Sequence, residues 1–351
     1  MRRLHVVVPE GIDDPRRPSG GNAYDRRVCR ELGAMGWAVS VHPVAGDWPF
    51  AAPPARSALA AEVCAIPDGD VVLVDGLVAS AAAAVLTPHA KRLRQVVLVH
   101  MPLGDDHGGE IRQSESAVLS GAVSVIVTSE WSRGLLLRLY GLPDGRIHVA
   151  VPGVDAARLA PGTAEGGELL CVATVTQGKG HDLLVGALGS LTDAAWRCRC
   201  VGSLERDPAF VQRLRREADR SGLGERVAFT GACSDAELER LFLSADVLVH
   251  PSRSETYGMV VAEALAHGLP VIAAEVGGVP EALGRGRSGV APGLLVAPDS
   301  AETLAGALRA WLGDAGLRRR LRAAALERRG TLGSWRGTAA LVGDVCEAAA
   351  R

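Results

Sequence analysis

The sequence lacks the cysteine and histidine spacings that are typical of metal sites and disulfide frameworks. No C-x-x-C pair occurs, and no cysteine pair is spaced with histidines as in a zinc site. The seven cysteines are Cys29, Cys64, Cys171, Cys198, Cys200, Cys233 and Cys346. An odd number of scattered cysteines in mostly apolar surroundings is typical of reduced, buried thiols in a cytoplasmic protein. We therefore expect neither disulfides nor a bound metal.

The sequence also lacks a strong charge of one sign and a long hydrophobic run. A formal net charge of -2 gives no general attraction to nucleic acid or to anionic lipid. The longest apolar run, residues 71–86, is interrupted by Asp75 and Gly76 and is typical of a strand, a turn and a helix. The apolar run near the N-terminus is too short for a signal peptide. We therefore expect a soluble, cytoplasmic protein without stable membrane insertion. Basic clusters at 91–94 and 318–322 are interpreted as solvated helix faces, with membrane contact as the alternative.

Two common nucleotide-binding signatures are missing as well. The GxxxxGK[ST] pattern of a P-loop is absent, and no GxGxxG follows the first predicted strand, which disfavours a dehydrogenase. The Asp-Gly-Asp sequence at 68–70 is similar to a metal-diphosphate motif. It precedes its predicted strand, however, and therefore lies at the wrong end of the sheet for a ligand.

What the sequence does contain is a long alternation of short apolar runs with segments of helical period. A chain of 351 residues, 48% of them apolar, is long enough for two domains with sizeable cores. Strands are predicted at 4–8, 38–44, 70–75, 95–100, 123–128 and 147–151 and, after a Pro- and Gly-rich linker at 152–168, at 169–175, 196–202, 226–231, 246–251, 270–274 and 293–297. Continuous apolar strands separated by helices indicate parallel sheets covered on both faces. The predicted fold is α/β, with two Rossmann-like, doubly wound domains facing each other across a cleft.

The strongest functional pattern is HPSRSETYGMVVAEALAHGLP, residues 250–270. A strand is predicted before it and a helix within it. The positions at or just before the helix N-terminus, where free amides and the helix dipole favour a phosphate, are Thr256, Tyr257, Gly258 and Met259. Glu255 and Glu263 are separated by about 12 Å if the whole segment is helical. Two carboxylates so placed can accept hydrogen bonds from hydroxyls on either side of a bound diphosphate. Alternatively, Glu255 only complements the helix dipole and Glu263 is a solvated helix residue.

Three further loops could contact an anion. Gly277 and Gly278 follow the next predicted strand and precede a helix, although glycine pairs are common in tight turns. Lys179, in a Gly-Lys-Gly loop between a strand and a helix, can neutralise a departing diphosphate or be an exposed loop lysine. Gly20 and Gly21 precede the first helix and provide a second amide-rich site, a weak signal by itself.

Histidine ends one strand of the first half. His100 is expected at the carboxyl edge of the sheet, where its imidazole can donate a hydrogen bond to a sugar or an acceptor, or can be a structural residue. His107 with Asp105 and Asp106 could form a metal cluster, but we interpret this segment as a flexible acceptor loop.

Taken together, these motifs resemble the retaining glycosyltransferases of family 4, which have the GT-B fold and are also described as glycosyltransferases group 1. The similarity is strongest at 246–283, where the E-x7-E signature of the family is present as Glu255 and Glu263. It extends to PSGGNAYDRRVCREL near the N-terminus, to QGKGHDLL in the middle and to GSWRGTAALVGDV near the C-terminus. The resemblance implies an N-terminal acceptor-binding domain at 1–155 and a C-terminal donor-binding domain at 165–332. It also implies that a last helix, about 333–351, crosses back onto the first domain.

The resemblance also implies roles for individual residues. The catalytic residues would be His100, Glu255 and Lys179. The donor-binding residues would be Gly20, Gly21, Lys179, Cys233, Glu255, Thr256, Tyr257, Gly258, Met259 and Glu263. Within these sets, Glu255 would hold the hydroxyls of the transferred sugar and Glu263 those of the ribose. The backbone around Cys233 would contact the nucleobase. Transfer would retain the anomeric configuration, would need no metal or other cofactor, and would use a UDP- or GDP-linked sugar.

One departure from the family pattern concerns the phosphates. Many members carry an arginine shortly before the lysine, where this chain has Thr174, so neutralisation would rest on Lys179 alone or on another arginine such as Arg253. The acceptor is expected to be a small natural product or a glycan precursor. The alternatives are a lipid- or inositol-linked acceptor at the membrane surface, or a protein that binds a nucleotide sugar without catalysis.

Overall fold

The computed structural model describes residues 2–14, 19–105 and 109–351, and it divides into two compact units. The first unit consists of Met1–Gly153 together with Gly333–Arg351, and the second is Val154–Leu332. Asp106 and His107, which the sequence placed in an acceptor loop, lie outside the described residues.

The first unit is built around one parallel sheet. Its strands are β1 (Arg3–Pro9), β2 (Ala38–Val44), β3 (Val71–Asp75), β4 (Arg94–Val99), β5 (Ser124–Val127) and β6 (Ile147–Val149). Its helices before the linker are α1 (Gly20–Ala34), α2 (Pro53–Ala65), α3 (Gly76–Ala79), α4 (Ala83–Leu86), α5 (Gly109–Gly121) and α6 (Glu130–Tyr140). The strand order is β2-β1-β3-β4-β5-β6 with parallel pairing throughout. All residues of β3 and β5 are buried, which explains why these strands are continuous apolar runs rather than alternating ones.

The second unit repeats this plan. Its strands are β7 (Glu168–Val172), β8 (Arg197–Val201), β9 (Val227–Gly231), β10 (Val247–His250), β11 (Val271–Ala274) and β12 (Gly293–Val296). Its helices are α7 (His181–Gly189), α8 (Pro208–Arg220), α9 (Asp235–Ser244), α10 (Met259–Ala266), α11 (Val279–Leu283), α12 (Ala301–Gly313) and α13 (Ala315–Arg329). The strand order is β12-β11-β10-β7-β8-β9, again parallel. Helix α7 follows the central strand β7, and α10 follows the central strand β10. The β7–α7 and β10–α10 loops therefore lie at the carboxyl edge of the sheet.

The last helix, α14 (Trp335–Ala349), packs within the first unit. Trp335 contacts Tyr24 of α1 edge-on, with ring centroids 5.6 Å apart. The Thr338 hydroxyl donates to the Val151 carbonyl at 2.8 Å. A Cβ at Gly153 would overlap the backbone of Trp335, so the chain can pass closely beside the start of this helix only because that residue is glycine.

The predicted fold class is confirmed, since both units are Rossmann-like and all twelve predicted strands are present among the described residues. The interpretation of 318–322 as a solvated helix face is wrong for two of its arginines. Arg318 donates to the carbonyls of Trp311 and Ala164, and Arg322 donates to that of Ala160. These guanidinium groups tie α13 to the linker rather than facing solvent.

The cysteines are all free thiols, as expected from their number and spacing. Cys171, Cys198, Cys200 and Cys346 are buried, whereas Cys64 is exposed, so the expectation of buried thiols is wrong for that residue.

Candidate functional site

The centre of the candidate site in the second unit is the Glu255 carboxylate, in the loop between β10 and α10. Lys179 donates from Nζ to Glu255 Oε1 at 2.6 Å. His250, the last residue of β10, brings Nε2 within 3.1 Å of the same oxygen. The side chains of Glu255 and Lys179 are 14% and 33% exposed, so the ion pair is partly shielded from water but open on one side. The structure thus brings together two residues that the sequence selected, Lys179 and Glu255, and adds His250, which no motif indicated.

These neighbours set the charge of the carboxylate. Burial alone raises the pKa of Glu255, but His250 and Lys179 outweigh it and hold that pKa well below its ordinary value. Glu255 is therefore an anion at every physiological pH. It can accept hydrogen bonds from hydroxyls, and it cannot deliver a proton as a general acid.

The start of α10 is arranged to receive a negative group. Gly258, in the N-cap position, has left-handed backbone angles of φ 89° and ψ 62°, and no side chain among the described residues caps the helix. The first amides of α10, beginning at Met259, therefore lack a side-chain acceptor, and the helix dipole adds partial positive charge there. Tyr257 is buried, and burial raises the pKa of its hydroxyl. Thr256 is half-buried in the same loop.

The Gly277–Gly278 pair has a structural reason that the sequence could not distinguish from ligand contact. A Cβ at Gly277 would overlap the carbonyl oxygen of Glu255, and one at Gly278 would overlap that of Thr256. Gly277 also has φ +52°, and the Gly278 amide donates to the Glu255 carbonyl at 3.1 Å. The two glycines therefore let the loop after β11 pack directly against the backbone of Glu255. This packing fixes the position of the loop that contains Glu255.

Lys179 lies at the end of a short 3-10 turn, Gln177–Lys179, just before α7. Gly180 follows it with φ +68°, and a Cβ there would overlap the Pro251 carbonyl. Arg253 braces this turn from the neighbouring loop: it donates to the Gln177 carbonyl at 2.6 Å. It also pairs with both oxygens of Asp182, each at 2.8 Å, and with Asp299 at 2.7 Å. With its guanidinium engaged by Asp182 and Asp299, Arg253 supports the turn that carries Lys179, and its contact with a phosphate stays a prediction.

Glu263 and Cys233 lie on other elements of the same unit. Glu263 is a half-buried residue of α10, but α10 begins only at Met259, so the helical spacing of about 12 Å assumed for the two acids does not apply between 255 and 258. Cys233 is half-buried in the loop between β9 and α9. Burial, together with the charges of Glu237 and Asp235, raises the pKa of its thiol, so it is a neutral group. The roles of both residues stay predictions.

In the first unit, the central candidate residue is His100, which directly follows β4. Its Nε2 lies 2.9 Å from Asp25 Oδ1 and 3.4 Å from Asp75 Oδ2. Both carboxylates are buried, with side-chain exposures of 2% and 5%. A Cβ at Gly21 would lie 3.1 Å from the His100 ring, so the start of α1 packs closely on it. The sequence selected Gly21 and His100 but missed both acids, which come from α1 and the end of β3.

The two acids determine the charge of His100. Burial lowers the pKa of the imidazole, but Asp25 and, to a lesser degree, Asp75 raise it to about 9. Burial and the charge of Asp25 also raise the pKa of Asp75 to about 7, against the opposing effect of His100. At neutral pH His100 is therefore a cation that donates from Nε2 to Asp25, and its Nδ1–H is the second donor.

Gly20 and Gly21 open α1, but a side chain already serves the first turn there. Ser19 is the N-cap and accepts from the Asn22 amide at 3.2 Å. The N-terminus of α1 is thus partly satisfied by the protein itself, in contrast to that of α10. Contact of these two glycines with a diphosphate stays a prediction.

A further buried acid that the sequence did not indicate is Glu115 of α5, which is 1% exposed. It accepts from the amides of Leu103 and Gly104 at 3.1 and 2.8 Å. It also accepts from the Ser80 hydroxyl at 2.7 Å and from the Tyr140 hydroxyl. Glu115 therefore anchors the loop that follows His100. The signal was a glutamate within an otherwise ordinary helical pattern, and nothing in its spacing distinguishes it from a solvated one.

One group of metal-ligating side chains is also present that the cysteine spacings did not reveal. The side chains of Cys171, His181 and Cys200 come from β7, α7 and β8, and their ligand atoms lie within 4.8 Å of one another. All three residues are fully buried, and His181 Nδ1 has no hydrogen-bond partner among the described residues. A metal-bound histidine ordinarily donates its second nitrogen to a carboxylate or carbonyl, and His181 does not meet this condition.

Among the described residues, none of the helices combines the length and the apolar composition required to cross a membrane.

Each half of the chain matches a glycosyltransferase family model. Residues 4–158 match the family model described as Glycosyltransferase Family 4, and residues 163–328 match the one described as Glycosyl transferases group 1. Together the two models cover most of both units, and neither match includes α14.

Related proteins have glycosyltransferase and synthase names. A D-inositol 3-phosphate glycosyltransferase 1 of Catenulispora acidiphila is 33% identical over 234 residues, which is 61% of this chain and 54% of that protein. A mannosylfructose-phosphate synthase of Agrobacterium fabrum is 29% identical over 193 residues, 50% of this chain and 42% of that protein. The chain thus spans about half the length of the curated relatives it matches.

Solved structures share the fold over the whole chain. The Anabaena protein HepE in complex with UDP and glucose superposes with a TM-score of 0.81 at 18% identity, covering 99% of this chain and 100% of that one. Sucrose-phosphate synthase of Thermosynechococcus elongatus superposes with a TM-score of 0.80 at 22% identity, covering 99% of both chains.

Proposed function

This chain belongs to glycosyltransferase family 4, with the GT-B fold, and we propose from that membership that it transfers a sugar from a nucleotide diphosphate sugar to a hydroxyl of an acceptor. The observation that carries the proposal is the ion pair of Lys179 Nζ and Glu255 Oε1, 2.6 Å apart, beside the start of α10, which has no side-chain cap. A cation and free amides suit the diphosphate, and a fixed carboxylate suits the hydroxyls of a sugar attached to it.

In this proposal, different residues of the second unit bind different parts of the donor. Lys179 and the amides at 257–259 bind the diphosphate, and Glu255 binds the hydroxyls of the transferred sugar. Glu263 binds the ribose hydroxyls, and the backbone at Cys233 meets the nucleobase. The donor is a UDP- or GDP-linked sugar. Because His250 and Lys179 hold the pKa of Glu255 well below its ordinary value against the effect of burial, Glu255 is an anion that positions the sugar and does not act as an acid.

The proposed reaction retains the anomeric configuration and needs no metal. The acceptor hydroxyl attacks the anomeric carbon as the bond to the diphosphate oxygen breaks, and that leaving oxygen takes the proton of the attacking hydroxyl. The charge that develops on the diphosphate is stabilised by Lys179 and by the helix amides. His100, a cation at neutral pH, donates a hydrogen bond from Nδ1 to the sugar or to the acceptor.

The proposed acceptor is a small phosphorylated polyol or sugar. The names of the relatives, a D-inositol 3-phosphate glycosyltransferase and a mannosylfructose-phosphate synthase, support this class over a lipid-linked acceptor. This choice follows the inositol alternative raised from the sequence and restricts it to an acceptor without a lipid chain.

The proposal is tested first by thermal unfolding in the presence of UDP-, GDP- and ADP-linked sugars. A donor at about 100 times its Kd should stabilise the folded state by about 2.7 kcal/mol through mass action. Each donor that binds is then incubated with inositol 3-phosphate, with a hexose phosphate or with glucose, and the product is identified by mass spectrometry and its anomeric configuration by NMR. Donor binding with no product from any acceptor would indicate a nucleotide-sugar-binding protein, and no binding at all would refute the proposal.

The chain offers an internal control for the role of Lys179, because Lys91 is its only other lysine. Lys91 is exposed and belongs to the first unit. Reductive methylation followed by peptide mass spectrometry should show that UDP slows the modification of Lys179 and leaves that of Lys91 unchanged. Equal protection of both lysines, or of neither, would contradict the assignment of Lys179 to the diphosphate.

A further inference from the structure

His250 is a buried residue of the candidate donor site that no sequence motif singles out. Its side chain is 2% exposed, and Nε2 lies 3.1 Å from Glu255 Oε1. The geometry of this approach does not meet that of a hydrogen bond, and neither ring nitrogen has a hydrogen-bond partner among the described residues. Since buried polar groups are nearly always paired, an unpaired imidazole directed at one carboxylate oxygen needs an explanation.

The explanation starts from the sharing of Glu255 Oε1. This oxygen accepts from Lys179 at 2.6 Å, while the buried His250 approaches it to 3.1 Å. The flexible side chain of Lys179 is 33% exposed and can turn towards an incoming anion. His250, in contrast, is held in place as the last residue of β10. A carboxylate oxygen has two lone pairs, so either donor can hold it.

We propose, on the basis of the function proposed above, that His250 is a positioning residue for Glu255. When the donor diphosphate draws Lys179 away, His250 completes its hydrogen bond to Oε1. The carboxylate then stays in place, with Oε2 directed at the sugar hydroxyls. His250 does not touch the donor in this arrangement, and it acts only through Glu255.

The test compares free nucleotide with nucleotide sugar, because only the sugar contacts Glu255. Isothermal titration calorimetry gives Kd values for UDP and UDP-glucose, or for GDP and GDP-mannose if the guanine nucleotide binds. The ratio of the two Kd values is the affinity contributed by the sugar. It is measured for the wild type, His250→Leu, Glu255→Gln and the double variant, with His250→Met as a second apolar variant and His250→Gln as the conservative one.

Removing the His250 donor should reduce the sugar contribution about tenfold to a hundredfold, the value of a hydrogen bond to a charged group. The affinity for UDP or GDP itself should be unchanged. The double variant should lose no more than Glu255→Gln alone, and His250→Gln, which retains a donor of similar reach, should recover most of the loss. A merely structural role would instead weaken nucleotide and nucleotide sugar equally, and the losses of the two single variants would add; either result overturns the proposal.

Failure of the proposed function is distinguishable from failure of this inference. If the wild type binds no nucleotide, the proposed function fails, and crystal structures of the ligand-free wild type and variants decide the role of His250 alone. With Lys179→Ala in the background, so that Lys179 no longer holds Oε1, Glu255 should keep its position when residue 250 is His or Gln and should turn away in His250→Leu or His250→Met. An unchanged Glu255 in both apolar variants would contradict the inference. If nucleotides bind but the sugar adds no affinity, Glu255 does not hold the sugar and the role of His250 is refuted with it.

Discussion

Replacing Asp25 with asparagine removes the charge closest to His100 and preserves the size of the side chain. Asp25 Oδ1 is 2.9 Å from His100 Nε2, and it is the strongest of the influences that raise the pKa of His100 to about 9. Burial works in the opposite direction and remains in the variant. We therefore expect the pKa of His100 to fall markedly in Asp25→Asn, because the desolvation cost of the cation is no longer offset by this partner.

The size of the effect follows from the structure. A rise from the ordinary value of 6.5 to about 9 corresponds to about 3 kcal/mol of preferential stabilisation of the imidazolium. An opposite charge at this distance accounts for about 1 to 3 pH units. Asp75, at 3.4 Å, remains as a weaker partner. In Asp25→Asn the pKa of His100 should thus lie at or below about 8, and the pKa of Asp75 should fall below about 7 because the repulsion from Asp25 is removed.

The assay is an NMR titration of the imidazole Cε1–H signals in protein carrying 13C-labelled histidine. The chain has nine histidines, and the missing signal in His100→Gln identifies the one required. A His100 signal that titrates near 6.5 in the wild type, or one that titrates at the same pH in wild type and Asp25→Asn, would refute the reasoning.

The thermal stability of the protein should depend on pH because the pKa values of His100 and Asp75 are raised in the folded state. A folded pKa of about 9 above an unfolded value of 6.5 gives stabilisation that is complete below pH 6.5 and is lost as the pH rises through 9. Asp75, whose folded pKa is also raised, has the same sign over a lower range, between its ordinary value and about 7. The melting temperature of the wild type should therefore fall between pH 6.5 and 9 by more than that of Asp25→Asn.

Three further predictions concern other parts of the chain. Lys179→Ala and Glu255→Gln should each reduce sugar transfer by about a hundredfold to a thousandfold, the cost of removing one preorganised electrostatic contact, with circular dichroism unchanged. Gly277→Ala should lower the melting temperature and donor affinity because its Cβ would overlap the Glu255 carbonyl at φ +52°, whereas Gly178→Ala, which meets nothing within 4 Å, should be neutral in thermal unfolding. Glu115→Gln should destabilise the protein in urea unfolding by about 2–4 kcal/mol, since it replaces one of two buried oxygens that accept from two amides and two hydroxyls; an unaltered unfolding midpoint would contradict its anchoring role.

Much of the candidate site in the second unit could be predicted from the sequence because its elements are local. A continuous apolar run ended at His250, a glutamate and a glycine followed, and a helix began at Met259, so the strand, the loop and the helix N-terminus could be placed by periodicity alone. Lys179 was predictable for the same reason. The contact between Lys179 and Glu255 was not, since 76 residues separate them and only the pairing of β7 with β10 brings their loops together.

The acids around His100 could not be predicted, because burial rather than spacing gives them their role. Asp25 reads as one more charge on an amphipathic helix, and Asp75 as the polar end of a strand, which is an ordinary place for an acid. Only the order β1-β3-β4 brings the end of β3 beside the end of β4 and under the start of α1. The prediction for the arginines of α13 was wrong for a related reason. A basic run on a helix does not reveal that Arg318 and Arg322 donate to carbonyls of the linker.

The most direct test of the central claim is a crystal structure of the protein with a bound UDP- or GDP-linked sugar. The diphosphate should lie within hydrogen-bond distance of Lys179 Nζ and of the first amides of α10, and a sugar hydroxyl should donate to Glu255. A donor bound elsewhere on the protein, or one whose diphosphate leaves the Lys179–Glu255 pair and the start of α10 untouched, would contradict it.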